Sequence, residues 1–480
     1  MPAIPAKKNG SLADHVMTLI TEQSEMAADG PHQGTLAQQM VAHLLGAQRH
    51  TVTGLLSALG RQQEDWSQAY RLYRQHLDAD AVFLPILDGV LERIAPNAPL
   101  VVAIDDSYLK KTGRQVAGAG WYRDPLGPQF HVNLLYAQRF IQISAAVPDP
   151  ANPKRSRMIP IGVRLIPKLP KPAKDASPEA LKCYEHLKAQ NRPGVHALQL
   201  LRLVREHLAA SGQADRALWV CGDGDYSNST VLTQLPPRTI YIGRTRNDIN
   251  LQAVPPRPPH RGVGRPLAYA GKLATPRQLY QDPAIPWIPA EIVNGDAITH
   301  VRYKQLNPVK WHAAGEKASV QIVVIAPLRY RKRQHGPWSY TQPAYLVCSQ
   351  SDLPVVELIQ AYFWRWGIEV NFKEEKQIFG TGQAQVRTTP SVATAPAVAI
   401  ASYAAILLAG LRAYGFHAHP PAHSPPKWYP SKSRPRVTCS ALLAQVRQDL
   451  VLQAVRNFSP LAPRHATEAN PEKSKHGDAA

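Results

Sequence analysis

The chain has 480 residues, 44% hydrophobic and 19% charged, a balance that excludes wholesale disorder and supplies enough apolar side chains for two or three packed domains. Its 55 Lys and Arg outnumber 35 Asp and Glu, and the resulting +20 points to a polyanionic partner, nucleic acid first. Cys183, Cys221, Cys348 and Cys439 are too few and too scattered for a disulfide framework or a tetrahedral zinc site, and read as buried small hydrophobes of a reducing compartment.

No apolar run follows the lysines of the opening MPAIPAKKNGSLADHV, so no secretory signal is expected. From Leu12 to about Leu91 apolar residues recur at helical spacing, with loops at Asp29-Gly30-Pro31 and around Asp78 to Asp80. This predicts an all-helical N-terminal domain over 1–95, in which HTVTGLLSALGRQQEDWSQAYRLYRQHL could form a helix-turn-helix but reads equally as any short helices.

Leu100 to Ile104 is a continuous apolar run of the kind that forms a central strand, expected to stop at Asp105-Asp106-Ser107. Extended stretches follow at Gln129 to Tyr136 and Arg139 to Val147, then a basic, Pro-rich excursion from Asp149 to Lys174. Helix-period residues fill Pro178 to Ala210, and strands are expected at Leu218 to Cys221, ending at Gly222-Asp223, and at Thr239 to Gly243. The pattern describes a mixed α/β sheet whose first strands are antiparallel, occupying 96–243.

Residues 244–343 shift to Pro, Arg and β-forming types and read as a β-rich basic insertion; the core resumes over 344–415 with a helix from Leu353 to about Phe379. Val392 to Leu411 is uncharged over a bilayer's length, but its alanines, Pro396 and Ser402 predict a helix buried in protein, and no membrane partner. The remainder, 416–480, reads as a Pro-rich linker, a helix from Ser440 to Val455 and a disordered tail. His417, His419 and His423 in HAHPPAH fit an exposed linker better than a metal site.

The chemistry-bearing candidates are acids at strand ends and one helix stripe. Asp105 and Asp223 each follow an apolar strand, where open α/β sheets bind ligands and where carboxylates can hold a hard cation such as Mg²⁺; each could equally be a turn residue. Tyr362, Arg365, Glu369 and Lys376 fall on one helix face beside an apolar stripe of Ile359, Phe363, Trp366 and Val370. Arg365 and Glu369 could be an ordinary ion pair one turn apart, or, with Tyr362 and Lys376, a phosphate-gripping row beside a metal ligand.

The segment YFWRWGIEVNFKEEK, Tyr362 to Lys376, matches Tyr-x2-Arg-x3-Glu-x6-Lys, and AIDDSYLKK and VCGDGDYSNS precede it in order. In these residues, in LPVVELIQAYFWRWGIE, in GQAQVR and in Gly264-Arg265-Pro266, the chain resembles the bacterial insertion-sequence DDE transposases that carry the Tyr-Arg-Glu-Lys signature, over roughly residues 95 to 410. The resemblance implies an RNase H-like catalytic domain with a β-rich insertion before the Glu-bearing helix. It implies a catalytic, metal-binding triad of Asp105, Asp223 and Glu369, two Mg²⁺ or Mn²⁺ ions, and DNA contacts from Tyr362, Arg365 and Lys376.

The implied activity is cut-and-paste transposition: hydrolysis at the element's ends, then attack of the freed 3′-hydroxyl on target DNA. Asp106 and Asp225 remain alternatives to their neighbours, although alternation along a strand turns Asp106 away from Asp105. Lys154, Arg155 and Arg157, Arg257, Arg261 and Arg265, and Arg329, Arg331, Lys332 and Arg333 are candidate contacts to double-stranded DNA. A homodimer is expected on functional grounds, in a cytoplasmic, nucleoid-associated setting. The competing readings are a catalytically inactive DNA-binding descendant and an RNase H-like nuclease without strand transfer.

Overall fold

A computed structural model describes residues 10–46, 49–124, 127–128, 132–256, 268–295, 297–331, 336–418, 420–421 and 437–458. It opens with five helices: α1 (Leu12–Ala27), α2 (Gly30–Leu45), α3 (Val52–Ala58), α4 (Ser67–Gln75) and α5 (Leu84–Leu91). Ser11 and Asp14 form a reciprocal capping box that satisfies the first free amides of α1, whose Leu12, Val16, Leu19 and Ile20 then fall on one buried face.

The sheet begins with β1 (Leu100–Lys110), β2 (Gly120–Arg123), β3 (Leu134–Asp149) and β4 (Asn152–Ile166). After α6 (Pro178–Gln190) and α7 (Pro193–Ala210) come β5 (Leu218–Gly222), α8 (Ser229–Leu232), β6 (Thr239–Arg244), β7 (Leu251–Ala253) and α9 (Pro276–Gln281). Then follow β8 (Ile288–Asn294), β9 (Ala297–Trp311), β10 (Val320–Ile325), the small ribbon β11 (Arg329–Arg331) and β12 (Trp338–Tyr340), and β13 (Ala344–Cys348). The chain closes with α10 (Val355–Trp364), α11 (Gly367–Gln377), α12 (Thr389–Tyr414) and α13 (Cys439–Phe458).

One mixed sheet runs β2-β3-β1-β5-β6-β13-β10-β9-β7, with β4 beside β3 and β8 beside β9. β1 is antiparallel to β3 and parallel to β5, which is parallel to β6. Every residue of β5 is buried, as expected of a central parallel strand covered on both faces.

Several expectations are corrected. β1 does not stop at Asp105: its pairing with β5 ends at Ala103 and Cys221, but its ladder with β3 continues to Lys110 and Ala137, so Asp105, Asp106 and Ser107 lie inside a strand. The extended stretches before Val147 include the single strand β3, while residues 129–131 lie outside the described residues. The basic Pro-rich excursion is largely β4. Its prolines are tolerated because β4 pairs with β3 alone, at an edge, and the ladder slips between Ile143 and Ser144, where Pro160 pairs. The helix over Pro178 to Ala210 is interrupted before Pro193.

The helix from Leu353 to Phe379 is two helices. Arg365 and Trp366 keep helical dihedrals, yet the amides of Arg365, Trp366, Ile368 and Glu369 each bond three residues back, at 3.0 to 3.4 Å, a tighter 3₁₀-type turn. Gly367 lets this turn rest on β4: a Cβ there would sit 2.6 Å from Met158 Cγ. Trp366 and Val370, expected in an apolar core stripe, are 61% and 45% exposed.

α12 is the one helix among the described residues long and apolar enough to cross a membrane, and 94% of its apolar window is buried inside the protein. It packs against α1, α2, α4, α5 and β4, so the N-terminal helices and the sheet share one apolar core.

Candidate active site

Asp105 lies two residues beyond Ala103, which pairs with Cys221, and Asp223 lies two residues beyond Cys221, so parallel pairing brings both acids to the same end of adjacent strands. Arg365 sits over that end. Its Nη1 donates to Asp105 Oδ2 at 2.9 Å and its Nη2 to Glu369 Oε1 at 3.3 Å. Arg365 is 11% exposed, and its buried Nε has no hydrogen-bond partner. Three acids remote in sequence therefore surround one guanidinium: Asp105 and Glu369 by direct contact, Asp223 by its field.

The electrostatics follow from crowding like charges at a partly buried site. Burial, reinforced by the charge of Asp223, pushes the Asp105 carboxyl up to about 6 although Arg365 pulls it down. Burial raises Asp223 as well. For Arg365, burial disfavours the cation, but Tyr362, Asp105, Glu369 and Asp223 together outweigh it and hold the proton more firmly than usual.

The alternatives at the two Asp positions separate cleanly. Asp106 points to the other face, where Arg139 grips it through Nε at 2.6 Å and Nη2 at 2.7 Å, and the Tyr226 hydroxyl donates to it at 3.0 Å. Its acceptor capacity is thus taken by structural partners. Asp225 is exposed and offers its backbone N–H to Asp223 Oδ1 at 2.9 Å. The Tyr241 hydroxyl donates to the Asp223 carbonyl at 3.1 Å and holds the turn after β5.

Tyr362, Arg365, Glu369 and Lys376 stay on one side despite the helix break. Arg365 Cζ stands 5.7 Å from the Tyr362 ring centre, and Lys376 Nζ donates to Ser107 Oγ. Ser107 shares a face of β1 with Asp105, so the row runs alongside that strand. Burial lowers Lys376 from the usual ammonium range and raises the Tyr362 phenol.

Sequence reasoning missed three polar residues here. Arg139 supports Asp106; its only signal was an Arg at the start of an otherwise apolar extended stretch. Gln142, opposite Asp105 in the β1–β3 ladder, donates to Glu375 Oε1 at 2.9 Å, and burial pushes Glu375 up to about 8. Of the expected DNA contacts, Arg157 donates to the Val437 carbonyl and Lys154 to that of Glu291, while Arg329 and Arg331 each place their guanidinium carbon about 4 Å from the centre of one exposed ring, Trp338. Arg257, Arg261, Arg265, Lys332 and Arg333, with Gly264-Arg265-Pro266, His419 and His423, lie outside the described residues. His417 contacts Asp149 at 2.8 Å.

A family described as DDE superfamily endonuclease matches residues 31–316, more than half of the chain. The chain belongs to the DDE superfamily endonucleases. The match contains Asp105 and Asp223 and ends before the helix that carries Glu369. DDE superfamily nucleases typically use divalent metal ions, and membership makes this a transposase-type, DNA-directed nuclease family. No curated protein matches the chain. Oxygen donors from three carboxylates suit a hard divalent cation. Among the described residues no three Asp, Glu, His or Cys side chains already form a metal-sized cluster; Arg365 stands between Asp105 and Glu369.

Proposed function

We propose that the protein is a DNA transposase of a bacterial insertion sequence, an RNase H-like DDE enzyme that hydrolyses phosphodiesters at element ends and joins the freed 3′-hydroxyl to target DNA. The observation that carries this reading is Arg365 joining Asp105 and Glu369 beside Asp223, all on one end of the sheet. Asp105, Asp223 and Glu369 would hold Mg²⁺ or Mn²⁺, two ions in the reading the resemblance implies, which when bound activate a nucleophile and stabilise a leaving oxygen.

The chain's own residues do the rest. Arg365 neutralises the carboxylates in the free protein and, on release from them, offers a planar fork to a phosphate. Tyr362 and Lys376 flank it on the same face of β1 and position the strand to be cut. Two copies acting on two ends make a homodimer the expected working form.

An assay with labelled element ends and a target plasmid in Mg²⁺ separates the readings. Joined product supports transposition, cleavage alone supports a nuclease without strand transfer, and binding alone supports an inactive descendant. Binding of double-stranded DNA is expected to weaken by about 10³-fold or more between 50 and 200 mM salt, as for ~6 or more phosphate contacts. A flat response in a salt titration by fluorescence anisotropy would remove the basic segments from the interface.

Protons and cations compete for Asp105. Because its carboxyl titrates at about 6 in the folded protein, Mn²⁺ affinity should be level above that pH and fall roughly tenfold per unit below it. Titrations followed by electron paramagnetic resonance between pH 5 and 8 test this, and constant affinity down to pH 5 excludes Asp105 as a ligand.

A further inference from the structure

The acids occupy one end of the sheet, and further along that same end lies a polar cleft that none of the chemistry above uses. Strand pairing places it. Gly222 of β5 pairs with Gly243 of β6, Arg244 with Leu346 of β13, Tyr345 of β13 with Val324 of β10, and Ile325 of β10 with Tyr303 of β9. Asp223, Arg244, Tyr345 and Arg302 therefore follow one another along a single rim. With ~4.8 Å between strands, Tyr345 stands roughly 10 Å and Arg302 roughly 20 Å from β5.

The cleft has a volume of about 760 Å³, and its walls include Arg277 and Tyr280 of α9, Arg302 of β9, Asn247, Gln342 and Tyr345. Among the described residues, none that lines it is acidic. Arg277 and Arg302 are both exposed, and neither guanidinium has an ion-pair partner among the described residues; that of Arg302 lies 5.9 Å from the centre of the Trp287 ring.

The walls are fixed in advance. Lys304, 2% exposed, donates from its ammonium to the carbonyls of Leu279, Tyr280 and Asp282 at 3.2, 3.2 and 2.6 Å, which locks the end of α9 onto β9. The Arg277 amide donates to the Asn247 carbonyl and the Thr245 amide to that of Tyr345, each at 2.9 Å. Burial raises the Tyr345 phenol, so its hydroxyl stays protonated and can donate.

We infer that this cleft holds phosphates of the DNA backbone a few nucleotides from the scissile bond. Each guanidinium offers a planar fork that matches two phosphate oxygens, and the tyrosine hydroxyls and side-chain amides add neutral donors. At ~3.4 Å per nucleotide along a strand, the strand spacings correspond to about three to six nucleotides. Such contacts hold register and carry no base preference. The scissile bond is identified by the nuclease reading, on which this part rests, whereas binding in the cleft can be observed without cleavage.

Fluorescence anisotropy of the full-length protein with a labelled duplex of about 30 base pairs, across a salt series, tests this. Arg277→Gln/Arg302→Gln should weaken binding at least tenfold and flatten the slope of log affinity against log salt by about 1.8, for two phosphate contacts at ~0.9 each. Arg277→Lys/Arg302→Lys keeps both charges and should keep the parent's slope. Gln342→Glu, at an exposed position, should weaken binding about threefold or more by setting a carboxylate among the phosphates. Parent-like affinity and slope in the Gln variant overturn the cleft alone, as does equal loss in the Gln and Lys variants, which would mark a structural role. If calorimetry shows inorganic phosphate binding to the parent but not to the Gln variant while duplex affinity is equal, the cleft serves a free phosphate and the DNA assignment falls. A parent that binds no duplex overturns the nuclease reading as well.

Discussion

Glu369→Gln should lower DNA cleavage by about a thousandfold or more, ~4 kcal/mol of barrier, while DNA affinity stays near that of the parent. The substitution keeps the side chain's size and leaves a carbonyl oxygen where Arg365 Nη2 now meets Glu369 Oε1 at 3.3 Å. What it removes is the negative charge that a hard cation needs from its ligand. Arg365 keeps its 2.9 Å contact with Asp105, so the row facing DNA is not dismantled. Nicking of supercoiled plasmid in Mg²⁺, with gel-shift binding measured in parallel, reads both quantities. Surviving cleavage would mean that the third acid lies elsewhere, whereas joint loss of cleavage and binding would assign Glu369 to DNA contact or folding.

Arg139→Met should have the largest effect on stability, about 3 to 5 kcal/mol. Asp106 is only 11% exposed and takes two short bonds from Arg139, with Tyr226 as its remaining partner. Methionine fills much the same space but leaves that carboxylate, 11% exposed, without a counter-charge. The thermal midpoint should fall by several degrees, and Asp106→Asn in the same chain should recover part of the loss, since the orphaned charge is then gone. If Arg139→Met melts like the parent, Asp106 is solvated, and its exclusion as a metal ligand must be revisited.

What could be read from the residues depended on distance along the chain. Asp105 and Asp223 were legible because apolar runs precede them, and the 3.6-residue period placed Arg365 one turn before Glu369. The ion pair between them exists, but the closer bond of Arg365 is to Asp105, and no helical spacing reports a partner 260 positions away. The same limit hid Arg139, whose partner lies across the β1–β3 ladder. The run of β1 past Ile104 was hidden too, because β3, not the sequence of β1 itself, supplies the hydrogen bonds there. The break at Arg365 and Trp366 keeps helical dihedrals, so propensity gives no warning of it; the close seat of Gly367 on Met158 is a tertiary fact.

β13 hydrogen-bonds to β6 on one edge and to β10 on the other, fastening the outer strands to those that bear the acids. Such a plate has no hinge between its halves. A nucleic acid lying along the exposed residues of β9 would therefore be held at a constant offset from Asp223.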